Sequence, residues 1–422
     1  MEQLSFLSKE KILEIQSTFG TPVFVYDQRI LEEQAEKALN FPNAFGLTAR
    51  YAMKACPNSS VIRVLNRAGL HIDASSGYEA QRAIRAGVPP QHIQITAQQL
   101  PNNLKELLDQ EILFNACSLH QLRSFGQIKP KSEVSIRVNP GLGSGHSQRT
   151  NVGGPSASFG IWHEHLDQVI EIAKHFELRI TGLHTHIGSG SDPEVWQKCA
   201  QLTLDVASRL PEITRVSLGG GYKVGRMLGE QSTDLNIAGQ PIVAEFENFA
   251  KNYGRELHLE IEPGTFFVAN AGALITSVID IVNTGKQGYQ FLKVDSGMTE
   301  LLRPSLYGAQ HPIVVVPQKE ESNNTANYLI AGHCCESGDI LTPEPDNPDG
   351  LQPRELLEAT IGDAVFIGGS GAYCAGMAAK NYNSFPEAPE VIVDGNGSLH
   401  LTRRRQTLEQ IVFNEEIPNY LR

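Results

Sequence analysis

Short apolar runs alternate with helical patterns along residues 47–262, and this alternation is the main structural signal of the chain. The apolar runs of strand length lie at residues 47–53, 70–74, 92–96, 112–116, 134–138, 180–187, 216–218 and 257–261. Helical patterns lie between them, for example at residues 78–86 and 166–175. Strands that alternate with helices are typical of a parallel sheet, and eight such units favour a closed (β/α)8 barrel over an open sheet.

The pattern changes after Gly264, where strand-like runs follow one another with few long helices between them. These runs lie at residues 273–281, 290–295, 313–317, 328–331 and 363–367, and a further one at residues 23–26. The sequence therefore predicts an α/β plus β fold with two domains. A TIM-like barrel would occupy residues 30–280, and residues 1–29 with 281–422 would form a β-rich domain, either a sandwich or a barrel.

Composition and charge narrow the functional class. The chain has 422 residues, which favours more than one domain, and it lacks the run of about 18 apolar residues that spans a bilayer. A net charge of -12 argues against general binding to nucleic acid or to an anionic membrane. The six cysteines lack a disulfide spacing and no signal peptide is visible, so we expect reduced thiols and a cytoplasmic location.

The segment Tyr51-Ala52-Met53-Lys54-Ala55 places a lysine at the C-terminal end of the first barrel strand. Barrel enzymes collect their catalytic groups at these strand ends. Desolvation by the barrel would disfavour the ammonium form of Lys54 and leave a nucleophilic amine, which Schiff-base chemistry requires. A lysine that merely extends from a strand end into water is the common alternative. The residues at the other strand ends decide between these interpretations.

Several strand ends carry groups that suit a phosphorylated, planar cofactor. Gly219-Gly220-Gly221 could let backbone N–H groups approach a phosphate, although such a run is more often a flexible turn. His184 and His186 could hold a metal, but zinc-ligand spacing is missing, so an imidazole lying on a flat ring fits better. Glu262 could form a structural ion pair or hold a proton on a pyridine nitrogen. With Lys54, these residues predict pyridoxal phosphate and no metal.

The residues around these positions extend the pattern over essentially the whole chain. The motifs are Arg137-Val138-Asn139-Pro140-Gly141, Gly145-His146-Ser147-Gln148, His186-Ile187-Gly188-Ser189-Gly190, Glu262-Pro263-Gly264, Arg303-Pro304-Ser305-Leu306-Tyr307-Gly308, Cys335-Glu336-Ser337-Gly338-Asp339, Gly371-Ala372-Tyr373 and Tyr382-Asn383-Ser384. With them the chain resembles the diaminopimelate decarboxylase family of fold-type III pyridoxal-phosphate enzymes. The resemblance implies an alanine racemase-like pair of domains.

The resemblance also implies roles for individual residues. In the barrel, Lys54 would bond to the cofactor, His186 would stack on its ring and Glu262 would pair with the pyridine nitrogen. The residues around the phosphate end and the remaining cofactor-binding positions would be Ser189, Gly221, Gly264 and Tyr373.

For the substrate, the resemblance implies that Arg303 and Tyr307 grip the distal carboxylate and that Glu336 meets the distal ammonium. Tyr373 would also contact the substrate. Cys335 would enter from the partner subunit of a homodimer and return a proton after decarboxylation. A buried structural thiol is the common alternative for a cysteine, but the Cys-Glu-Ser-Gly-Asp motif favours the catalytic role.

Two departures from the family pattern concern substrate recognition. The family usually has arginine after Glu-Pro-Gly, and this chain has Thr265. The glycine of Ser75-Ser76-Gly77 also lies one place earlier than usual. A lost guanidinium contact is worth about 1.5–3 kcal/mol. Carboxylate recognition is therefore expected to be rearranged, whereas fold and cofactor are unaffected.

The expected function is decarboxylation of meso-2,6-diaminopimelate to L-lysine and carbon dioxide, the last step of lysine biosynthesis. The nearest alternative is a related decarboxylase for another carboxylate-bearing or D-configured amino acid, such as a siderophore precursor. A racemase would need a tyrosine base in the second domain, and a regulatory cofactor-binding protein would need no second domain. The glycine-rich segment from Gly141 to Gly154 is either a substrate lid or an ordinary surface loop.

Overall fold

The computed structural model describes residues 2–143, 153–188, 190, 192–319 and 324–422. The chain divides into two compact units. The barrel unit comprises Leu31–Val224 and Gln231–Phe267, and the β-rich unit comprises Met1–Ile30, Gly225–Glu230 and Val268–Arg422. The division differs from the predicted boundaries because residues 268–280, expected in the barrel, belong to the β-rich unit.

Strands are numbered in chain order, and β1 (Val23–Asp27) belongs to the β-rich unit. The strands of the barrel unit are β2 (Leu47–Ala52), β3 (His71–Ala74), β4 (Ile93–Ile95), β5 (Leu113–Ala116), β6 (Glu133–Asn139), β7 (Ile161–Trp162), β8 (Arg179–His184), β9 (Arg215–Ser217) and β10 (His258–Ile261). Strands β5, β4, β3, β2, β10, β9, β8 and β6 pair in that order, and β5 also pairs with β6. All these pairs are parallel. Because β5 and β6, at the two ends of this order, also pair with each other, the sheet closes, and the predicted (β/α)8 barrel is confirmed.

The helices are α1 (Lys9–Phe19), α2 (Gln28–Leu39), α3 (Ser59–Arg67), α4 (Gly77–Arg85), α5 (Leu104–Asp109), α6 (Leu119–Ile128), α7 (Leu166–Phe176), α8 (Pro193–Ser208), α9 (Leu235–Tyr253), α10 (Thr265–Val268), α11 (Arg303–Tyr307) and α12 (Leu408–Ile411). Several begin at a polar side chain that caps the first turn. Asn58 caps α3 and Ser76 caps α4, each accepting a backbone N–H of the first turn. These caps fix where the chain turns from strand end to helix.

The β-rich unit is built on a mixed sheet. Its remaining strands are β11 (Gly272–Asn283), β12 (Gln290–Val294), β13 (Ile313–Val316), β14 (Thr325–Ala331), β15 (Pro343–Glu344), β16 (Asn347–Leu351), β17 (Arg354–Leu357), β18 (Ala364–Ile367), β19 (Glu390–Val393) and β20 (Leu399–Arg403). The order in the sheet is β17, β14, β12, β11, β1, β19 and β20, while β18 pairs with β11 and β13. Strand β11 pairs with β1 and β18, which is why residues 268–280 belong here.

The core of the β-rich unit is an apolar cluster around these central strands. It includes Ile12 and Ile15 of α1 and buried side chains of β1, β11, β18 and β19. The N-terminal residues therefore belong to this unit. Within the described residues, no helix combines the length and apolar character that crossing a bilayer would need.

Candidate active site

Lys54 lies in a 3-10 turn, Met53–Ala55, directly after β2. The neighbours Met53 and Ala55 are buried, whereas the Lys54 side chain is exposed. The predicted place at a strand end is therefore correct. The desolvation that we expected to activate the amine is not present in this structure, because the side chain extends into solvent.

Glu262, just after β10, is the centre of a buried hydrogen-bond network. Its Oε2 lies 2.9 Å from Nε2 of His184, at the end of β8. Its Oε1 accepts hydrogen bonds from Ser217 Oγ of β9 at 2.8 Å and from Gln94 Nε2 of β4 at 3.2 Å. Groups from three strands thus hold one carboxylate at the strand ends.

A second buried carboxyl group, Asp73 of β3, takes the opposite protonation state. Burial, together with the negative charge of Glu262, raises the pKa of Asp73. Burial also acts to raise the pKa of Glu262, but His184, Ser217 and Arg50 outweigh it and the net pKa is lowered. Two neighbouring carboxylates cannot both ionise cheaply in a low-dielectric site. Glu262 is therefore the ionised member and Asp73 holds the proton.

The ring of His186 lies against the backbone of Gly219. A Cβ atom at position 219 would lie 2.7 Å from Cγ and Nδ1 of His186, and the φ angle of Gly219 is +72°. Only glycine fits there, because a side chain would displace the ring and strain the backbone. Burial, followed by the charges of Arg137 and Lys54, holds the pKa of His186 well below its ordinary value. The imidazole is therefore neutral, as stacking on a flat ring requires.

The glycine run continues the strand-end surface next to Glu262. A Cβ atom at Gly220 would lie 2.3 Å from the carbonyl oxygen of Glu262. Gly221 has a φ angle of +104°, and its carbonyl accepts the N–H of Gly190 at 3.0 Å. Backbone from β8, β9 and β10 is packed tightly here. This close packing leaves backbone rather than side chains at the surface, which suits a phosphate.

The turn at Pro263 and Gly264 touches the strand that carries Lys54. The carbonyl of Pro263 accepts the N–H of Ala52 at 3.0 Å. A Cβ atom at Gly264 would lie 3.2 Å from the Ala52 carbonyl oxygen and from the Ala55 Cβ. The lysine turn and the Glu262 turn are thus adjacent in the barrel unit.

Several buried polar atoms near these strand ends have no hydrogen-bond partner in the protein. They are Asp73 Oδ1, Asn115 Oδ1, Arg137 Nη2, His184 Nδ1 and His186 Nδ1. Buried polar groups are normally hydrogen-bonded, so these unpaired atoms suit a polar ligand at the strand ends. Arg50, His71 and Arg215 carry further unpaired buried atoms elsewhere in the barrel. A planar, phosphorylated pyridine fits this set of donors and acceptors, whereas the described residues contain no cluster of three or more metal-ligating side chains.

The proposed carboxylate-binding residues lie on the short helix α11 of the β-rich unit. Arg303 begins this helix and Tyr307 ends it, so the two side chains are four residues apart and lie on one face. Gly308 terminates the helix in the left-handed conformation, with a φ angle of +64°. The Nε atom of Arg303 is buried and has no hydrogen-bond partner. The guanidinium is therefore available to an anion.

Cys335 and Glu336 lie on an exposed loop of the same unit. Buried Asp339 anchors this loop by accepting the N–H of Met298 at 2.7 Å and of Cys334 at 2.9 Å. The N–H of Cys335 donates to Asn383 Oδ1 at 2.8 Å, which explains the Tyr382-Asn383-Ser384 motif.

Ser305 of α11 donates to the carbonyl of Gly338 at 2.8 Å, so helix α11 and the Cys335 loop are joined. An open cavity of about 670 Å³ lies beside this junction, and Met298, Ser305, Glu336, Lys380 and Tyr382 contribute to its lining. The cavity leaves the exposed Glu336 side chain open to a ligand.

Tyr373 has a φ angle of +56°, which is uncommon for a residue with a side chain. It follows Gly371, whose closest neighbour, the carbonyl oxygen of Val268, would lie 1.7 Å from any Cβ atom. The backbone of the Gly371-Ala372-Tyr373 motif therefore requires glycine at position 371, and this backbone positions the Tyr373 side chain. Ser189 and the Gly145-His146-Ser147-Gln148 motif lie outside the described residues, as does most of the Gly141 to Gly154 loop.

The network also contains residues that the sequence did not single out. Gln94, Asn115 and Ser217 are buried polar residues on β4, β5 and β9. Each interrupts an apolar strand at a position near its C-terminal end. That interruption was the available signal, because a polar residue inside a barrel strand needs a partner.

Comparison with known proteins identifies the family. A family profile described as the pyridoxal binding domain of pyridoxal-dependent decarboxylases matches residues 29–269. Diaminopimelate decarboxylase of Escherichia coli (strain K12) is 36% identical over 418 residues, which cover 97% of both chains. The chain belongs to the diaminopimelate decarboxylase family. Members of this family are carboxy-lyases that use pyridoxal phosphate. The predicted family and the predicted cofactor are therefore confirmed.

Other members of the diaminopimelate decarboxylase family support this assignment over the full length. The enzyme of Streptomyces coelicolor is 35% identical over 94% of this chain and 90% of its own. A crystal structure of diaminopimelate decarboxylase superposes with a TM-score of 0.89 at 35% identity and covers 96% of both chains. The enzyme of Helicobacter pylori, crystallised with L-lysine, has a TM-score of 0.83 at 28% identity and covers 95% of this chain and 98% of its own.

Proposed function

We propose that this protein decarboxylates meso-2,6-diaminopimelate to L-lysine and carbon dioxide, as the last step of lysine biosynthesis. The observation that carries the proposal is the buried, ionised Glu262 within a three-partner network, adjacent to the turn that bears Lys54. Full-length relatives with this activity in their names support the choice of substrate.

In the barrel, Lys54, His186, Ser189, Gly221, Glu262 and Gly264 would hold pyridoxal phosphate, with Tyr373 from the β-rich unit. When bound, the cofactor supplies a conjugated ring that takes up the electrons left as the carboxylate departs. Glu262 would hold a proton at the ring nitrogen, since its lowered pKa keeps it anionic beside that atom. His184 and Ser217 fix the orientation of this carboxylate.

The remaining residues would act on the substrate. Arg303 and Tyr307 would bind its distal carboxylate, and Glu336 would bind its distal ammonium. Cys335 would return a proton to the carbon that loses its carboxylate. The chain would work as a homodimer in which Cys335 serves the site of the partner subunit, and its exposure in a single chain supports that role. We infer a cytoplasmic location from cysteines that all remain free thiols.

The test of the reaction is carbon dioxide release from a panel of diamino acids, with the chirality of each product determined. The expected result is a preference for meso-diaminopimelate and formation of L-lysine. The second candidate is a decarboxylase for another carboxylate-bearing or D-configured amino acid, and Thr265 is the observation that favours it. Release from such a substrate, with none from diaminopimelate, would replace the first proposal by the second.

The shared site has its own test, since two inactive chains can complement each other only across an interface. Mixtures of Lys54→Ala and Cys335→Ala chains should regain activity in hybrid dimers, each of which contains one intact site. Subunit exchange is followed with differently tagged chains. Exchange without recovered activity would contradict a shared site, and a mixture of Lys54→Ala with Lys54→Ala provides the matched control.

A further inference from the structure

Arg226 lies in Gly225–Glu230, a segment that follows β9 in the sequence but packs within the β-rich unit. Asn270 Nδ2 donates to the Gly225 carbonyl at 2.9 Å. Glu230 Oε2 accepts the backbone N–H groups of Arg226 at 2.8 Å and of Met227 at 3.2 Å. The segment is thus a closed turn, and the Glu230 carboxylate is engaged by its backbone.

The side chain of Arg226 is clamped along the backbone of Gly369. Its Nε donates to the Gly369 carbonyl at 3.0 Å. A Cβ atom at Gly369 would lie 2.9 Å from Cδ and 3.0 Å from Cγ of Arg226, and the φ angle of Gly369 is +62°. Glycine is required on both counts. A clamped arginine loses little further freedom on binding a ligand, which favours affinity.

One terminal nitrogen of this guanidinium has no hydrogen-bond partner among the described residues. Arg226 Nη2 is buried without a hydrogen bond, and the same holds for Nε of Arg303. Within the described part of the chain, acidic side chains form ion pairs with Arg50, Arg209 and Arg403, but none does so with Arg226 or Arg303.

Arg226 and Arg303 are close enough to repel each other. Burial, and then the positive charge of Arg303, lowers the pKa of Arg226 to about 9, so the Arg226 guanidinium remains charged at neutral pH. His311 lies beside them, and its Nδ1 is 3.0 Å from the Gly368 carbonyl. Burial and these two arginines hold the pKa of His311 well below its ordinary value, so it adds no charge. Cys374, Glu230 and Tyr373 act in the opposite direction and raise the pKa of Arg226.

Two half-buried guanidinium groups, each with a buried nitrogen that lacks a partner, are costly unless an anion compensates them. We propose that Arg226 and Arg303 together bind an oxyanion in the active site, so that Arg226 is a second anion-binding arginine. The oxyanion is either the substrate's distal carboxylate or the cofactor's phosphate, since a guanidinium fork suits both. The inference rests on the proposed function. Arg226 would restore the guanidinium that the chain lacks at Thr265.

The test compares Arg226→Gln with Arg226→Lys and with Arg209→Gln, a control that removes an exposed arginine bound to Asp167. The dissociation constant of pyridoxal phosphate is measured by absorbance, and kcat and KM are measured for meso-diaminopimelate and for lysine, which lacks the distal carboxylate. A charge-assisted bond of about 1.5–3 kcal/mol predicts a change of roughly 10- to 150-fold for Arg226→Gln. Arg209→Gln should change nothing measurable.

The two measurements distinguish the two oxyanions. A carboxylate site raises KM for diaminopimelate, leaves KM for lysine and cofactor affinity unchanged, and is partly rescued by Arg226→Lys. A phosphate site weakens cofactor binding and leaves the preference between substrates unchanged. Wild-type values for all three constants in a folded Arg226→Gln variant would overturn the proposal. If that variant does not fold, Arg226→Lys serves the same comparison, because it keeps the charge but loses the fork.

A third measurement keeps this inference separate from the proposed reaction. Glutarate probes a carboxylate site and should raise the melting temperature of the wild-type holoenzyme. Inorganic phosphate probes a phosphate site, which the cofactor would fill, and should raise the melting temperature of the wild type before the cofactor is added, because a ligand that binds only the folded state stabilises it. The Arg226→Gln variant should lose the shift with at least one of them. A wild type that does not decarboxylate diaminopimelate would refute the proposed reaction, whereas equal shifts in wild type and variant would refute the anion site.

Discussion

Glu262 of the barrel unit and Arg303 of the β-rich unit, the charged groups proposed to meet the cofactor and the substrate, are held in opposite ways. In the barrel unit, Glu262 is buried and hydrogen-bonded by His184, Ser217 and Gln94. In the β-rich unit, Arg303 has a buried nitrogen without a partner, and Cys335 is exposed. The barrel therefore holds its acid in place before any ligand arrives. The β-rich unit presents groups that only a ligand or a partner chain would satisfy.

This contrast follows from the chemistry that each unit would perform. A group that tunes a cofactor must keep a fixed charge and orientation, and neighbouring strands supply both. A group that binds the substrate needs donors or acceptors without a protein partner, and these stay unpaired until the substrate arrives. The comparison predicts that barrel substitutions impair cofactor binding, whereas substitutions in the β-rich unit impair substrate discrimination.

The largest effect is expected at Lys54. The Lys54→Ala variant should lose on the order of 10³–10⁶-fold in kcat, the range found when a catalytic nucleophile is removed. The wild type should absorb visible light with its cofactor bound, and borohydride should attach the label to the peptide that contains Lys54. Lys105→Ala removes an exposed lysine paired with Asp109 at 2.8 Å and should behave as wild type. Label on another peptide would contradict the assignment.

The sequence predicted the framework better than the network. Short apolar runs predicted the eight barrel strands and the position of Lys54, because such runs can be recognised from the local sequence alone. Ser217 and Gln94 were missed because a single polar residue in a short strand does not reveal which distant acid it contacts. The sequence placed the end of the barrel domain at residue 280 instead of Phe267 for a related reason. Strand β11 is apolar like a barrel strand, and only its pairing with β1 assigns it to the β-rich unit.

The next largest effect tests the β-rich unit through Arg303. Removing one partner of a buried charge pair costs about 2–5 kcal/mol, so Arg303→Ala should lower kcat/KM for meso-diaminopimelate by that amount. The loss for lysine or ornithine should be much smaller, because neither carries a distal carboxylate. Cofactor affinity should remain that of the wild type if the oxyanion bound by Arg226 and Arg303 is the substrate's carboxylate. An equal loss for all substrates would show that Arg303 does not read the distal carboxylate.

A smaller effect tests the contact between Gly219 and His186. The Gly219→Ala variant would place a Cβ atom 2.7 Å from the imidazole, so the ring should shift and cofactor affinity should fall by about tenfold, or roughly 1.4 kcal/mol. Gly285→Ala is the matched control. Its φ angle of +89° imposes a similar backbone strain, but nothing lies within 4 Å of the added Cβ. Equal cofactor affinities in the two variants would show that strain, and not the ring contact, is responsible.

The last effect is on stability rather than on activity, and it concerns the proton that Asp73 keeps beside Glu262. Its pKa is raised by burial and by Glu262, so the folded protein keeps a proton that the unfolded chain loses near pH 4. The stability contributed by Asp73 is therefore present at acid pH and is lost as the pH rises. The Asp73→Asn variant has no such proton, so its stability relative to wild type should increase by roughly 1–3 kcal/mol between about pH 5 and about pH 7.

Unfolding of the cofactor-free protein by denaturant, followed by tryptophan fluorescence, measures this stability difference in the barrel unit. Both tryptophans, Trp162 and Trp196, lie in that unit. Asp109→Asn, which removes an exposed carboxylate, should show no comparable trend with pH. A stability difference for Asp73→Asn that is constant or decreases with rising pH would mean that Asp73 is ionised beside Glu262. In that case the two carboxylates would have to be balanced by Arg50 and His184, and the barrel could no longer be described as holding a single fixed negative charge for the cofactor.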